Sequence, residues 1–342
     1  MREKWIDFEK GIAIYSVVLG HSIQYIYCHN ESMEDNCVFL FIYSFHMALF
    51  AMISGYLFYY SARRYSLIEG VVRKVETILV PCLVWGGIEY FYTVLRGWNS
   101  VSFNGCILFL LNHNWFLWSV FYCNIVVILM HHFWGEGKIK NLVALLIVIS
   151  AMFYPDYFNL IDFKMMFPAF WVGYLIKDRQ LLHKYKIATI NTKLVILGTI
   201  VLIYIWLMLF VVDKNDIMHW QYYLGADRIY AFECLIKRQA VNIIGSIMVI
   251  VMLKHLFERL TVRSYVDRVS TLGKNSLGIY MIQSIVFGYG LGVLYKFSEL
   301  VILIRGIITV ALSVVITICS LIIVNIIKKN RISAKILLGR TK

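Results

Sequence analysis

The sequence predicts an all-α polytopic membrane protein with about ten transmembrane helices and both termini in the cytoplasm. Three observations carry that class. Of 342 residues, 60% are hydrophobic and 15% charged, whereas a soluble domain holds about half apolar and about a quarter charged residues. The mean hydropathy of +0.72 exceeds what a globular core can hide, but lipid can solvate it. The basic residues alternate between connections instead of forming one patch, which is how orientation in a bilayer is encoded.

Ten apolar stretches read in order as spans near 11–27, 38–60, 77–95, 115–133, 139–154, 160–176, 194–213, 239–257, 272–295 and 301–327. The first follows Asp7, Glu9 and Lys10 and has no small-residue cleavage site after it, so it is expected to stay in the mature protein. The fifth and sixth are short and are expected to tilt, kink or re-enter. No repeat or linker divides the chain, which reads as a single integral-membrane domain over 1–342.

Orientation follows from counting Lys and Arg. The N-terminus, the even-numbered connections and the C-terminus carry 25 of the 33 basic residues. The opposite side carries Arg96, Lys214, Arg228, Lys237, Arg238, Lys296 and Arg305. The rich side is therefore cytoplasmic. The net charge of +13 is absorbed by this pattern, and no nucleic-acid partner is expected. The exterior connection 213–238 mixes carboxylates with Trp220, Tyr222, Tyr223 and Tyr230. That composition suits carbohydrate, and it equally suits an aromatic belt at the membrane interface.

Seven cysteines lie mostly in apolar stretches, where they read as small hydrophobes. Cys28 and Cys37 bracket the first exterior loop and are the one pair placed to form a disulfide. No cysteine–histidine spacing resembles a metal site, and no metal is expected. A phosphate loop of the GxxxxGK[ST] type is missing, as is a GxSxG elbow.

His21 stands out because an ionisable group near mid-membrane is costly and is a functional candidate by default. Eleven residues separate it from Lys10. On a helix that is a rise of about 16 Å and a turn of about 1,100°, about 20° past three full turns. Lys10 then sits at the membrane edge on nearly the same face, and Asp7 falls within about 40° of it. His46 lies about 12 Å below the outer end of the second span, at a depth similar to His21. A neutral buried imidazole suits a general base on a hydroxyl or a proton relay in a transporter. Arg63, Arg64, Arg73 and Lys74 precede Pro81 on the cytoplasmic side. They serve as orientation charges, and they also form a possible anion site, since Arg grips phosphate through a bidentate fork.

The stretch WIDFEKGIAIYSVVLGHS (Trp5 to Ser22) resembles the opening of the acyltransferase-3 family of membrane O-acyltransferases, most closely its fucose 4-O-acetylase-like branch. That family's basic residue, ten intervening residues and histidine are matched by Lys10 and His21. Phe45-His46-Met47 running into Ser54-Gly55-Tyr56, the pair Arg73-Lys74 before Pro81, and Asn114-Trp115-Phe116-Leu117 resemble further family elements. So do Phe167-Pro168 through Gly173-Tyr174 and Ser276 through Tyr280. Family members often carry His shortly after the late Tyr; this chain has Gln283, which cannot take a proton at neutral pH. No hydrolase-like appended domain is expected after the last span.

The resemblance implies an O-acetyltransferase of a multi-pass bacterial plasma (inner) membrane protein. Its donor would be cytoplasmic acetyl-CoA and its acceptor a hydroxyl on a sugar of a surface polysaccharide or lipid-linked glycan precursor. His21 and His46 would then be catalytic, and Lys10, Arg63, Arg64, Arg73 and Lys74 would bind CoA. Asp7, Ser54, Tyr56, Trp115 and Tyr280 would support them. The alternative is a proton-coupled transporter or flippase of lipid-linked sugars.

Overall fold

The structure is a computed structural model and describes residues 3–28, 33–135, 138–153, 160–218, 228–260, 262–289 and 301–339. Every regular element among them is helical. In chain order they are α1 (Lys4–Ser22), α2 (Cys37–Tyr43), α3 (His46–Ala62), α4 (Leu67–Lys74), α5 (Val80–Leu95) and α6 (Phe103–Asn112). Then come α7 (Trp115–Trp134), α8 (Lys138–Phe153), α9 (Leu160–Asp178), α10 (Leu181–Ile187), α11 (Ile190–Trp206) and α12 (Lys214–Met218). The chain closes with α13 (Arg228–Arg259), α14 (Arg263–Lys274), α15 (Ser276–Tyr289), α16 (Ile302–Ile327) and α17 (Arg331–Leu338). Widened π turns extend α1, α4 and α11, at Ile23–Tyr27, Val75–Leu79 and Leu207–Val211.

Within the described residues, nine of the ten predicted stretches lie mainly on one helix or on two consecutive ones, whereas 272–295 straddles the break at Asn275 between α14 and α15. Six segments are long and apolar enough to cross a membrane: Cys37–Ala62, Leu67–Leu95, Trp115–Trp134, Ile190–Val211, Phe232–Arg259 and Ile302–Ile327. The Ile190–Val211 segment has a mean hydropathy of 2.8 yet leaves Leu202 and Phe210 about 70% exposed or more. A helix apolar all round and bare is in its proper solvent only in lipid. Four predicted spans fall short of that criterion: the fifth and ninth are short apolar helices, Ile139–Ser150 and Ser276–Tyr289, and the first and sixth carry charge. α1 opens with Asp7, Glu9 and Lys10, and α9 carries Asp162 and Lys164, all but Lys10 buried. Sequence reasoning missed α6, a ten-residue apolar helix.

The chain divides into two compact units, Met1–Phe50 with His183–Ile326, and Ala51–Leu182 with Ile327–Lys342. In the first, α1 and α14 touch backbone to backbone. A Cβ on Gly273 would lie 1.8 Å from the Asp7 carbonyl oxygen, and one on Gly11 2.0 Å from that of Val269. Only glycine fits there. Phe8, Val266 and Val269 close the apolar side of this crossing, with Leu253 and Phe257 of α13 packed on them. In the second unit a similar pairing joins α3 and α9: Gly55 meets the Phe170 carbonyl and Gly173 that of Met52. Those glycines belong to the Ser-Gly-Tyr and Gly-Tyr elements, so part of what those motifs encode is helix packing.

Two expectations from the loops change. Cys28 and Cys37 are not joined in a disulfide. Arg238 and Arg305, counted as exterior loop charges, are both buried within helices. Trp220, Tyr222, Tyr223 and Asp227 lie outside the described residues.

Candidate functional site

α1 is regular from Lys4 to Ser22, so the eleven-residue interval from Lys10 to His21 keeps the geometry its spacing implies. Lys10 is half-buried and Asp7 buried on the same helix. At the upper end, His21 Nδ1 lies 2.7 Å from Gln283 Oε1 on α15. The amide's orientation is fixed because Gln283 Nε2 donates to the Tyr280 carbonyl at 3.0 Å, a bond its oxygen could not make. Gln283 Oε1 therefore accepts, His21 Nδ1–H donates, and the lone pair of His21 is left on Nε2. Tyr280 enters the site through its main chain. The ring of His21 stands edge-on to Phe287 and Tyr25, which stack on each other at 5.8 Å.

His46 begins α3. Its Nδ1 donates to the Ile42 carbonyl at 2.8 Å, which leaves Nε2 of this imidazole unprotonated as well. His46 is in electrostatic reach of His21 and of Arg238. Its ring centroid lies 4.7 Å from that of Tyr43, whose hydroxyl donates to Gln24 Oε1 at 2.9 Å. His21 and His46, expected at similar depth, thus act on each other electrostatically without touching.

α13 runs antiparallel to α1: near its start Arg238 donates to the carbonyl of Tyr43, whose hydroxyl reaches Gln24 just past α1, and its far end meets the first turns of α1. The Lys254 ammonium sits 4.1 Å from the Trp5 ring, and Phe257 packs on Phe8. Sixteen residues from this end, about 24 Å on either helix, stand His21 on α1 and Arg238 on α13. Sequence reasoning missed Arg238, and it gave Gln283 no role. The amide's signal was only its place after a late motif. Glu9 was also missed: it is 1% exposed and neither carboxylate oxygen has a hydrogen-bond partner.

The basic cluster lies in the second unit. α4 starts at a capping box, where the Glu69 carboxylate accepts from the Ser66 amide at 3.1 Å and from its hydroxyl at 3.0 Å. The helix then carries Arg73 and Lys74 back towards the end of α3. A cavity of about 290 Å³ is lined by Tyr60, Arg64, Tyr65, Arg73, Lys74 and Thr77. The Arg73 guanidinium lies 4.3 Å from the Tyr65 ring and that of Arg64 5.6 Å. Arg63 is separated from the other three: it lies over Tyr59 at 3.8 Å and meets Asp178 at 3.4 Å. Tyr56 accepts from Lys177 at 3.3 Å. Ser54 is half-buried on α3, and Trp115 opens α7 behind Asn114, whose φ of 56° is a left-handed value asparagine tolerates. No cluster of metal-ligating side chains occurs among the described residues.

Fold and site define a multi-pass helical membrane protein with a half-buried and a buried histidine whose Nδ1 atoms are both engaged. Comparison with known proteins places it more narrowly. The acyltransferase domain of the acyltransferase-3 family matches residues 3–325, and the chain belongs to that family. It is similar to nodulation protein NolL of Mesorhizobium japonicum, 28% identical over 180 residues, 51% of this chain and 48% of that protein. It is also similar to nodulation protein NolL of Sinorhizobium fredii, 35% identical over 129 residues, 35% of this chain and 34% of that protein. The matched region thus spans about half or less of these relatives. No solved structure matches the chain.

Proposed function

We propose that this protein is a ten-span membrane O-acetyltransferase of a bacterial plasma membrane. It moves an acetyl group from cytoplasmic acetyl-CoA to a sugar hydroxyl of a surface polysaccharide or lipid-linked glycan precursor. The observation that carries the reading is the His21–Gln283 hydrogen bond. It leaves Nε2 of a membrane-embedded imidazole as a proton acceptor, which is what attack by a hydroxyl on a thioester requires.

In the proposed reaction the acceptor oxygen bonds to the acyl carbon while Nε2 of His21 takes its proton. Collapse of the tetrahedral intermediate then expels the CoA sulfur, which recovers that proton as the free thiol. His46, with its own Nε2 free, accepts a hydrogen bond from an acceptor hydroxyl and so orients it. The Tyr60–Tyr65 cavity holds the nucleotide end of CoA: Arg64, Arg73 and Lys74 meet its phosphates and a tyrosine ring stacks on adenine. Lys10 and Asp7 line the cytoplasmic approach to His21.

Purified protein in lipid nanodiscs, given acetyl-CoA and a glycan acceptor, should release free CoA thiol and form an ester, and His21→Ala should abolish both. Uncoupled movement of a lipid-linked sugar with no thioester consumed would instead establish a transporter. Normal acetylation by His21→Ala would remove the general base.

A further inference from the structure

Arg238 is 8% exposed, and among the described residues its guanidinium is held by two long hydrogen bonds. Nη1 donates to the Asp216 carbonyl and Nη2 to the Tyr43 carbonyl, each at 3.4 Å. Nε–H has no partner. The Asp216 carboxylate acts on Arg238 only at a distance, its Oδ2 accepting from the Asp213 amide at 3.0 Å. No carboxylate among the described residues forms an ion pair with Arg238. The Asp216 carboxylate is in electrostatic reach without forming an ion pair, so the buried guanidinium is only partly compensated, which is costly and leaves donor capacity for a negative charge that arrives. The place is specific. Arg238 stands level with His21 along the antiparallel α1–α13 pair and is in electrostatic reach of His46 and Tyr43.

We propose that Arg238 is a catalytic residue that holds the oxyanion of the acyl-transfer step, an inference that rests on the acyltransferase reading. As the acceptor oxygen bonds to the acyl carbon and its proton passes to Nε2 of His21, the carbonyl π pair moves onto the carbonyl oxygen. That oxygen takes a hydrogen bond from the Arg238 fork, with Nε–H as the unused donor. When the intermediate collapses, the pair returns to the carbonyl, the carbon–sulfur bond breaks, and the thiolate receives the proton from His21. A fixed cation in a water-poor site favours the charged intermediate over the neutral thioester.

The test uses the full chain in nanodiscs with acetyl-CoA as donor and water or an uncharged methyl glycoside as acceptor, following CoA thiol release. Arg238→Gln is expected to lower kcat by about 100-fold, with KM for acetyl-CoA within about twofold of wild type and the thermal midpoint little changed. Arg238→Lys, which keeps charge but loses the fork, is expected to fall between. A kcat for Arg238→Gln equal to wild type overturns the proposal. So does a loss confined to the KM of the methyl glycoside, which would make Arg238 an acceptor-binding residue. Should Arg238→Gln fail to fold, full-rate turnover by Arg238→Lys overturns it. Wild-type protein that binds acetyl-CoA but never releases CoA would remove the acyl-transfer reading itself, and this proposal with it.

Discussion

His21 and Gln283, 262 positions apart in the chain, meet through a hydrogen bond of 2.7 Å between Nδ1 and Oε1. The amide determines which imidazole nitrogen is free without competing for a proton. Gln283→Leu removes the acceptor and leaves the ring free to rotate or change tautomer. The expected result is a loss of about 10–100-fold in kcat, the usual scale for an outer partner that orients a histidine, with KM for acetyl-CoA unchanged. Gln283→Glu keeps an oxygen acceptor and should retain most activity. Steady-state CoA release on both variants checks this.

At the α1–α14 crossing, Gly273→Ala puts a methyl against the Asp7 carbonyl, where no side chain can move aside. Overpacking of this kind costs about 1–3 kcal/mol or more, so the thermal midpoint in detergent should fall and activity with it. Gly87→Ala and Gly198→Ala are matched controls, since nothing lies within 4 Å of the added carbon at either. Each should leave stability unchanged or raise it by about 0.5–1 kcal/mol through helix propensity.

Arg73 and Lys74 line the tyrosine-walled cavity, whereas Arg63 is turned to Tyr59 and Asp178. Isothermal titration with CoA should therefore separate them. Arg73→Glu with Lys74→Glu is expected to weaken binding at least 10-fold, each lost phosphate contact removing a charge-assisted hydrogen bond. Arg63→Ala should leave CoA affinity within about twofold, given that exposed ion pairs contribute little.

Asp267 lies on amphipathic α14, outside the spans, and a hydrogen bond from Lys4 at 2.5 Å holds its carboxyl below the usual carboxylate range. A depressed folded value means that the pair's stabilisation is fully present above the unfolded value of about 4. It is lost as pH falls through the folded value. Thermal midpoints measured from pH 7 down to about pH 3 should drop more steeply for wild type than for Asp267→Asn, and added salt should narrow the gap.

The membrane class was legible because hydropathy and loop charge are read one residue at a time. The Lys10–His21 interval was legible because a helix converts spacing into angle, and the electrostatic reach between His46 and His21 because opposite expected span directions convert position into depth. Gln283 was not: what it does depends on which helix α15 packs against, and no local pattern in the chain states that. Arg238 was misread for a related reason. At the end of an apolar stretch a basic residue looks like a topology signal, and only the tertiary fold shows that its charge is buried. α6 was passed over because ten apolar residues fall short of a full span.

The Gly11–Gly273 contact has one further consequence. From Gly11 to His21 is ten residues, and from Gly273 to Gln283 is also ten, with a backbone contact at one end of the pair and a hydrogen bond at the other. The two segments behave like rulers laid from a common zero. Lengthening either by one helical residue would slide its mark by about 1.5 Å and swing it by about 100°, and the histidine would face an empty wall. The working length of the first segment is thus written a second time, near the far end of the chain.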